Sequence, residues 1–539
     1  MTGRRAHAVI ALYALLALLV VPVYPHFPSP NELSRWAVAA SLVERGTLEV
    51  SAVLPLLGGQ FEDLAESNGR VYSNKAPGGA LVGLPAYAIA RAFAGPPSPQ
   101  SIRPTLTAMR LLSATLPVVL LALLFAYAAA RFGASDERIA IALLALLFGT
   151  PLFAYGLLNF SHALAAFALF GAWVLILLPP GEGAAERRMR GAAQPQAEFT
   201  APLTRRFAPP SPAGRGIRDA LAGALIGLAV LAEYPCAIAG VVLIAFAWRR
   251  AHRIIAGGLP FALILAIYNK AAFGTFFALS SGNERNAEFR ELAAHGVFGI
   301  GLPKIDTLFR LLLDPSKGLL IFSPVLLIAL AAIPRARTML TKPAFGALVA
   351  TPLALLILYS GYPNWHGGWT VGARYLVPAM PFLAMLLVFA EVRIRELVLL
   401  GVSITAVTLT TLIFPFVPGD FPLPWTTLAW PLLRHGLIAP NAMHFIARPL
   451  AIALPFALVI AACIAGVGRR AAYLAIGIVI AFAAGLFVRT SDKQLVERAY
   501  IEEVCFDRLG ALPRDGRINP ALLRRADAQR KLPPTPWPF

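Results

Sequence analysis

The chain is poor in charge. Of its 539 residues 14% are Asp, Glu, Lys or Arg, whereas 58% are hydrophobic and the mean hydropathy is +0.68. Soluble domains carry about 25% charged residues. A chain this apolar cannot cover a core with polar surface, which excludes a soluble multidomain protein. Cysteine is scarce as well. Cys236, Cys463 and Cys505 stand far apart, which excludes a disulfide framework and a cysteine-based metal site. There is no Walker loop and no His-Glu-x-x-His string, so ATP-driven transport and zinc hydrolysis are disfavoured. Neither a short internal repeat nor a transporter-like inverted repeat is visible. The apolar stretch 8–24 follows Arg4 and Arg5 but lacks an A-x-A site, and it reads as a signal anchor.

What the chain does have is a series of long apolar blocks separated by short basic clusters. That is the pattern of an all-α polytopic membrane protein. The net charge of +19 and pI near 10.4 arise largely from those clusters. Positive-inside topology accounts for them without nucleic acid as a partner.

Segment 180–218 carries seven arginines against three glutamates, with Pro and Gly throughout. It reads as a cytoplasmic, disordered linker. Counting back from it, spans fall at 8–24, 111–130, 139–156 and 162–179. Counting forward, they fall at 219–234, 236–249, 254–270, 318–334, 343–361, 375–391, 396–414, 449–467 and 471–488. The plan has about thirteen transmembrane helices, with the N-terminus inside and the C-terminus outside. Residues 76–94 are apolar but contain Pro77, Gly78, Gly79, Pro85 and Arg91, and they read as a juxtamembrane or re-entrant helix.

The segments are then a first span (1–24), an outer loop with juxtamembrane helices (25–110), and spans 111–179. The linker 180–218 is followed by spans 219–488, which carry outer loops 271–317, 362–374 and 415–448. An outer-face tail (489–539) ends the chain. Most polar length lies outside, so chemistry is expected on the outer face of the cell membrane.

Three strings in the first outer loop bear candidate chemistry. SPNELSRWAVAASLVERG at 29–46 has helical apolar spacing and predicts an amphipathic helix on the membrane surface. Within it, Ser29, Pro30 and Glu32 also form a capping box, a purely structural role for Glu32, with Arg35 three residues on. Glu62, Asp63 and Glu66 read as an acidic turn. In YSNKAPGG at 72–79, Lys75 either meets an anionic headgroup or snorkels.

A further outer string, GYPNWHGGWTVGARYL at 361–376, sets Trp365, His366 and Trp369 beside Arg374. A guanidinium next to a glycine-rich turn suits phosphate, although a snorkelling arginine fits too. His366 alone is more commonly a structural hydrogen-bonder than a base. Asn159, His162, Asn269, Lys270 and Lys317 end spans on the same side and read as weaker candidates.

A span, then an outer acidic residue on a juxtamembrane helix, then a Lys-x-Pro string entering an apolar helix, resembles the GT-C glycosyltransferases. More narrowly, the chain is similar to the bacterial branch related to protein O-mannosyltransferases and lipid A aminoarabinose transferase, a family-39-like type. The matching strings are NELSR at 31–35 and YSNKAPGG at 72–79, with Asn31-Glu32 where that family often has Asp-Glu. The resemblance implies sugar transfer from a polyprenyl-phosphate donor to a lipid, glycan or protein acceptor, with inversion. In that reading Glu32 is the general base, Lys75 and Arg374 hold the donor phosphate, and Asp63, Arg35, Trp36, Trp365, His366 and Trp369 bind substrate. The resemblance implies no certain cofactor; Asp63 with Glu32 offers a place for a divalent ion. The alternatives are an outer-face lipid-linked glycan ligase or polymerase, and a non-enzymatic lipid or polymer transporter.

The charge count predicts that reporters fused after residues 200 and 530 report opposite compartments. Finding both in one compartment would sink the thirteen-span plan.

Overall fold

A computed structural model describes residues 3–20, 22–26, 29–59, 61–178, 212–296, 299–514 and 518–531. Most of the basic linker, residues 180–211, therefore lies outside the described residues. Among the described residues the chain is a helical bundle with one small β-hairpin. Each apolar block singled out above contains helix. Among the described residues, five helices are long and apolar enough to cross a membrane, and shorter apolar helices include Gly78–Ala94, His162–Leu177, Cys236–Ala245 and Arg374–Leu387.

Some boundaries differ from expectation for local reasons. The block at 111–130 begins earlier, because α4 (Pro99–Arg110) runs on through a π-turn at Leu111–Thr115 into α5 (Leu116–Arg131). The block at 318–334 is broken into Leu319–Phe322, Leu326–Ala331 and Ile333–Met339. Pro324 and Pro334 stand at these breaks, where proline cannot donate the amide that a continuous helix needs.

The basic clusters assigned to one side do meet in space. Arg5 and Arg470 both reach Glu137, at 3.8 and 3.1 Å. Arg250 pairs with Asp219 at 2.7 Å and donates to the Ile176 carbonyl. Arg335 and Arg393 converge on Glu391. Exposed pairs such as Arg5–Glu137 and Arg335–Glu391 add little stability. Their value here is that each joins segments that the charge count placed together.

At the opposite end, segment 25–110 folds into a small subdomain with its own core, built from Leu33, Trp36, Val50, Leu54, Leu64, Tyr87, Ile102 and Met109. Its first helix, α2 (Pro30–Arg45), is buried continuously from Asn31 to Ser41. A helix lying on the membrane surface would expose one face, so that expectation is corrected. The bundle covers one side of α2, and α3 (Gly78–Ala94) with the hairpin covers the other. The capping box is not formed either: the Ser29 side chain makes no cap hydrogen bond, and Glu32 turns to another partner.

The hairpin pairs β1 (Leu64–Ser67) with β2 (Arg70–Ser73). Its outer edge is extended by segment 271–317: Ala65 forms a bridge with Glu284, and the Arg285 amide donates to the Leu64 carbonyl at 2.9 Å. The glycines after Lys75 have a packing reason. A Cβ on Gly79 would lie 2.1 Å from the Ser161 hydroxyl oxygen, so only glycine lets α3 start flush against the bundle.

Candidate active site

A cavity of about 740 Å³ opens at the loop end of the bundle. Its walls come from segments far apart in sequence: residues 29–75, Phe160 of the bundle, residues 281–299, 362–375 and the C-terminal 497–529. Asp63, Lys75, Glu284 and Arg374 all line it. The Lys75 ammonium donates to Asp63 Oδ1 at 2.7 Å. The Asn74 amide donates to Glu284 Oε2 at 2.8 Å and reaches Asp63 Oδ1 at 3.5 Å. Two carboxylates thus share one amide, with the ammonium beside them.

Burial pushes the Glu284 carboxyl up to about 7, against the pull of Lys75 and of the Asn74 hydrogen bond. Arg374 lies across the cavity on an aromatic bed, its guanidinium carbon 4.7 Å from the Tyr375 ring centre and 5.8 Å from that of Phe160. It donates to the Tyr375 hydroxyl at 3.0 Å, while its Nε is buried with no hydrogen-bond partner. Gly367, at φ +70°, makes room for it: a Cβ there would sit 2.7 Å from that Nε.

The structure brings Asp63, Lys75, Arg374 and Trp369 of the predicted set together at this cavity and places the others elsewhere. Glu32 is buried and bidentate to Arg110 at 2.8 and 2.6 Å, and it also accepts the backbone N–H of Asn159 at 2.7 Å. It faces the bundle and does not line the cavity. Arg35 is also buried, donating to Ser161 at 2.9 Å and pairing with Glu233 at 3.3 Å. His162 shares that carboxylate at 3.1 Å. Trp36 fills the subdomain core, donating to Thr105 at 2.9 Å and packing on Tyr87.

Trp365 and His366 do not line the cavity. Trp365 lies under the Arg310 guanidinium, and His366 Nδ1 accepts the Gly368 amide at 3.0 Å. Lys317 neither snorkels nor faces the cavity: its buried ammonium binds the carbonyls of Gly368, Thr370 and Val417. Burial lowers it to about 7. It acts as a staple that holds the loop carrying Arg374. Lys270 caps its own helix through the Gly274 carbonyl at 2.7 Å, and Asn269 reaches the Phe276 carbonyl at 3.4 Å.

A divalent cation does not fit these residues. Glu32 is committed to Arg110, and the carboxylates of Asp63 and Glu284 face N–H donors rather than further oxygens, which hard cations require. Among the described residues no three His, Cys, Asp or Glu gather as a ligand group.

Sequence reasoning missed Glu284, because only the bridge to Ala65 carries it to Asp63. It also missed the tail residues Glu497, Tyr500 and Arg525, which line the cavity. Two buried glutamates, Glu502 and Glu503, hold the tail in place. Glu502 pairs with His435 and Arg508, and Glu503 with Arg514 and Arg530, as expected of a segment docked on the bundle.

No family model and no curated protein matches the sequence. The fold is similar to that of ArnT from Cupriavidus metallidurans bound to undecaprenyl phosphate, with a TM-score of 0.48 and 16% identity over 89% of this chain and 76% of that one. It is also similar to the Archaeoglobus fulgidus oligosaccharyltransferase AglB in complex with an inhibitory peptide and a dolichol-phosphate, with a TM-score of 0.41 and 14% identity. That match covers 98% of this chain and 60% of AglB.

Removing one partner of a buried ion pair costs about 3–5 kcal/mol, because the other charge is left unpaired. Glu32→Gln is therefore expected to lower thermal stability sharply in detergent. The double variant Glu32→Met with Arg110→Met should recover much of the loss. A Glu32→Gln protein with unchanged melting would contradict the structural role.

Proposed function

We propose that this chain is a membrane glycosyltransferase that moves a sugar from a polyprenyl phosphate to a lipid, glycan or protein acceptor at the outer membrane face. The observation that carries the reading is the convergence of Lys75 and Arg374 with the carboxylates of Asp63 and Glu284 in one cavity, from three segments distant in sequence. Two cations near two carboxylates, beside an apolar bundle, suit an amphiphilic phosphodiester. The motif resemblance at 31–35 and 72–79 points the same way.

The chemistry follows from the placement. The ammonium of Lys75 and the guanidinium of Arg374 neutralise the departing phosphate, an electrostatic contribution strengthened by water exclusion. The acceptor hydroxyl attacks the anomeric carbon as the bond from that carbon to the phosphate oxygen breaks. The electron pair leaves with polyprenyl phosphate, and the acceptor's proton passes to a carboxylate. One displacement inverts the anomeric centre. Glu284 is the better base, because a base works best with a pKa near the operating pH, and its carboxyl sits at about 7. Asp63 is held by Lys75 and positions that lysine until the donor phosphate competes for it. This role for Glu284 replaces the one expected of Glu32.

Below pH 7 a neutral Glu284 cannot accept a proton, so kcat/KM of the wild type should rise through about pH 7. Glu284→Gln should lose that limb and about a hundred- to ten-thousand-fold in rate. A Glu284→Gln variant that keeps the limb would assign the base elsewhere. Lys75→Ala should raise the donor KM and lower kcat, together losing about 1.5–3 kcal/mol of transition-state stabilisation. Normal turnover by Lys75→Ala would return Lys75 to the role of an interfacial anchor.

A further inference from the structure

The C-terminal tail forms a wall of the cavity that the transfer chemistry above does not use. Glu497 and Tyr500 lie on the helix Asp492–Tyr500, and Arg525 and Gln529 on the helix Pro520–Arg530. Arg525 reaches across to Glu62 of the first segment at 3.5 Å, so the two walls meet there. Trp369 and Tyr500 stand edge to face, with ring centres 6.4 Å apart, and both line the cavity. Glu497 is half-buried, and its Oε2 has no hydrogen-bond partner. Burial and Asp420 raise its carboxyl above the usual range.

This wall is not a loose end. The buried Glu503 ties Arg514 at 2.6 Å and Arg530 at 3.3 Å, and so joins the two tail helices. Glu502 anchors the tail to His435 of the bundle at 2.9 Å. The wall is therefore built before any ligand arrives, which lowers the ordering cost of binding.

From this arrangement we propose that the tail wall is an acceptor subsite for a saccharide. The inference rests on the transferase reading and narrows its acceptor from lipid, glycan or protein to a glycan. Planar side chains that present polar atoms side by side, here the Glu497 carboxylate, the Arg525 guanidinium and the Gln529 amide, match pairs of neighbouring hydroxyls. Aromatic rings cover the apolar C–H faces of sugar rings while their polar tips stay free to hydrogen-bond. Both signs of charge are present on this wall, so it selects a hydroxyl-rich ligand rather than a strongly charged one. The unpartnered oxygen of Glu497 is the acceptor of a hydroxyl hydrogen bond that the ligand supplies.

The test uses the full-length protein in lipid nanodiscs on an array of immobilised oligosaccharides, with an array of unstructured peptides alongside. Undecaprenyl phosphate binding is measured separately. The wild type should be retained on oligosaccharides. Glu497→Gln and Gln529→Ala should each weaken retention by about ten-fold or more, the loss expected for a hydrogen bond to a charged or well-placed polar group. Undecaprenyl phosphate affinity should stay within about two-fold, which also certifies the fold. Should Glu497→Gln fail that fold check, Gln529→Ala alone carries the comparison. Oligosaccharide retention that is absent, or unchanged in the folded variants, overturns the proposal, as does retention on peptides instead. Loss of undecaprenyl phosphate binding by the wild type would instead count against the transferase reading.

Discussion

The bidentate pair between Glu32 and Arg110 sets the position of α2 against the bundle, and through α2 the floor of the cavity. Arg110 sits where α4 passes into the π-turn, so the pair links α2 to the continuous 33-residue helix Pro99–Arg131. Asn159 adds a third hydrogen bond from another bundle segment. One turn along α2, Arg35 makes the parallel connection to Ser161 and Glu233. Buried charges of this kind persist only when paired and hydrogen-bonded. Ser29, Pro30, Asn31 and Leu33, which border the cavity, are carried by the same turn of helix. The subdomain and the bundle are joined by charge at the point where the reactive groups must be placed.

The second tier of control is the anchoring of loops that would otherwise wander. Lys317 gathers three carbonyls and so holds the turn that presents Arg374. Segment 271–317 is held to the hairpin by the bridge at Ala65, which brings Glu284 beside Asn74. The tail is fixed by Glu502 and Glu503. The loop at Arg374 and the tail are thus held by buried ionisable groups with several partners, and segment 271–317 by backbone pairing.

Hydropathy made the bundle legible, because a membrane span must be apolar along its length and its flanking arginines must stay on one side. The contacts of Arg5, Arg250 and Arg335 agree with that sidedness. Lys75 and Arg374 were legible as candidate cations because each stands beside glycine in a turn between apolar blocks. The ion pair of Glu32 was not legible, because its partner, Arg110, is 78 residues away and a local capping box offered a nearer explanation. The burial of Trp36 was not legible either, since helical spacing cannot tell a lipid-facing stripe from a buried one. Glu284 and the tail were invisible because their places depend on tertiary pairing, which no spacing rule encodes.

The central claim is that Lys75 and Arg374 together receive the phosphate of a polyprenyl carrier in the cavity shared with Asp63 and Glu284. A cryo-EM structure of the full-length protein in nanodiscs with undecaprenyl phosphate tests it directly. The account predicts phosphate density within hydrogen-bonding distance of both Lys75 Nζ and the Arg374 guanidinium. It predicts too that the contact of Lys75 with Asp63 lengthens. Phosphate density seated away from both side chains, with the Lys75–Asp63 pair intact, would contradict it.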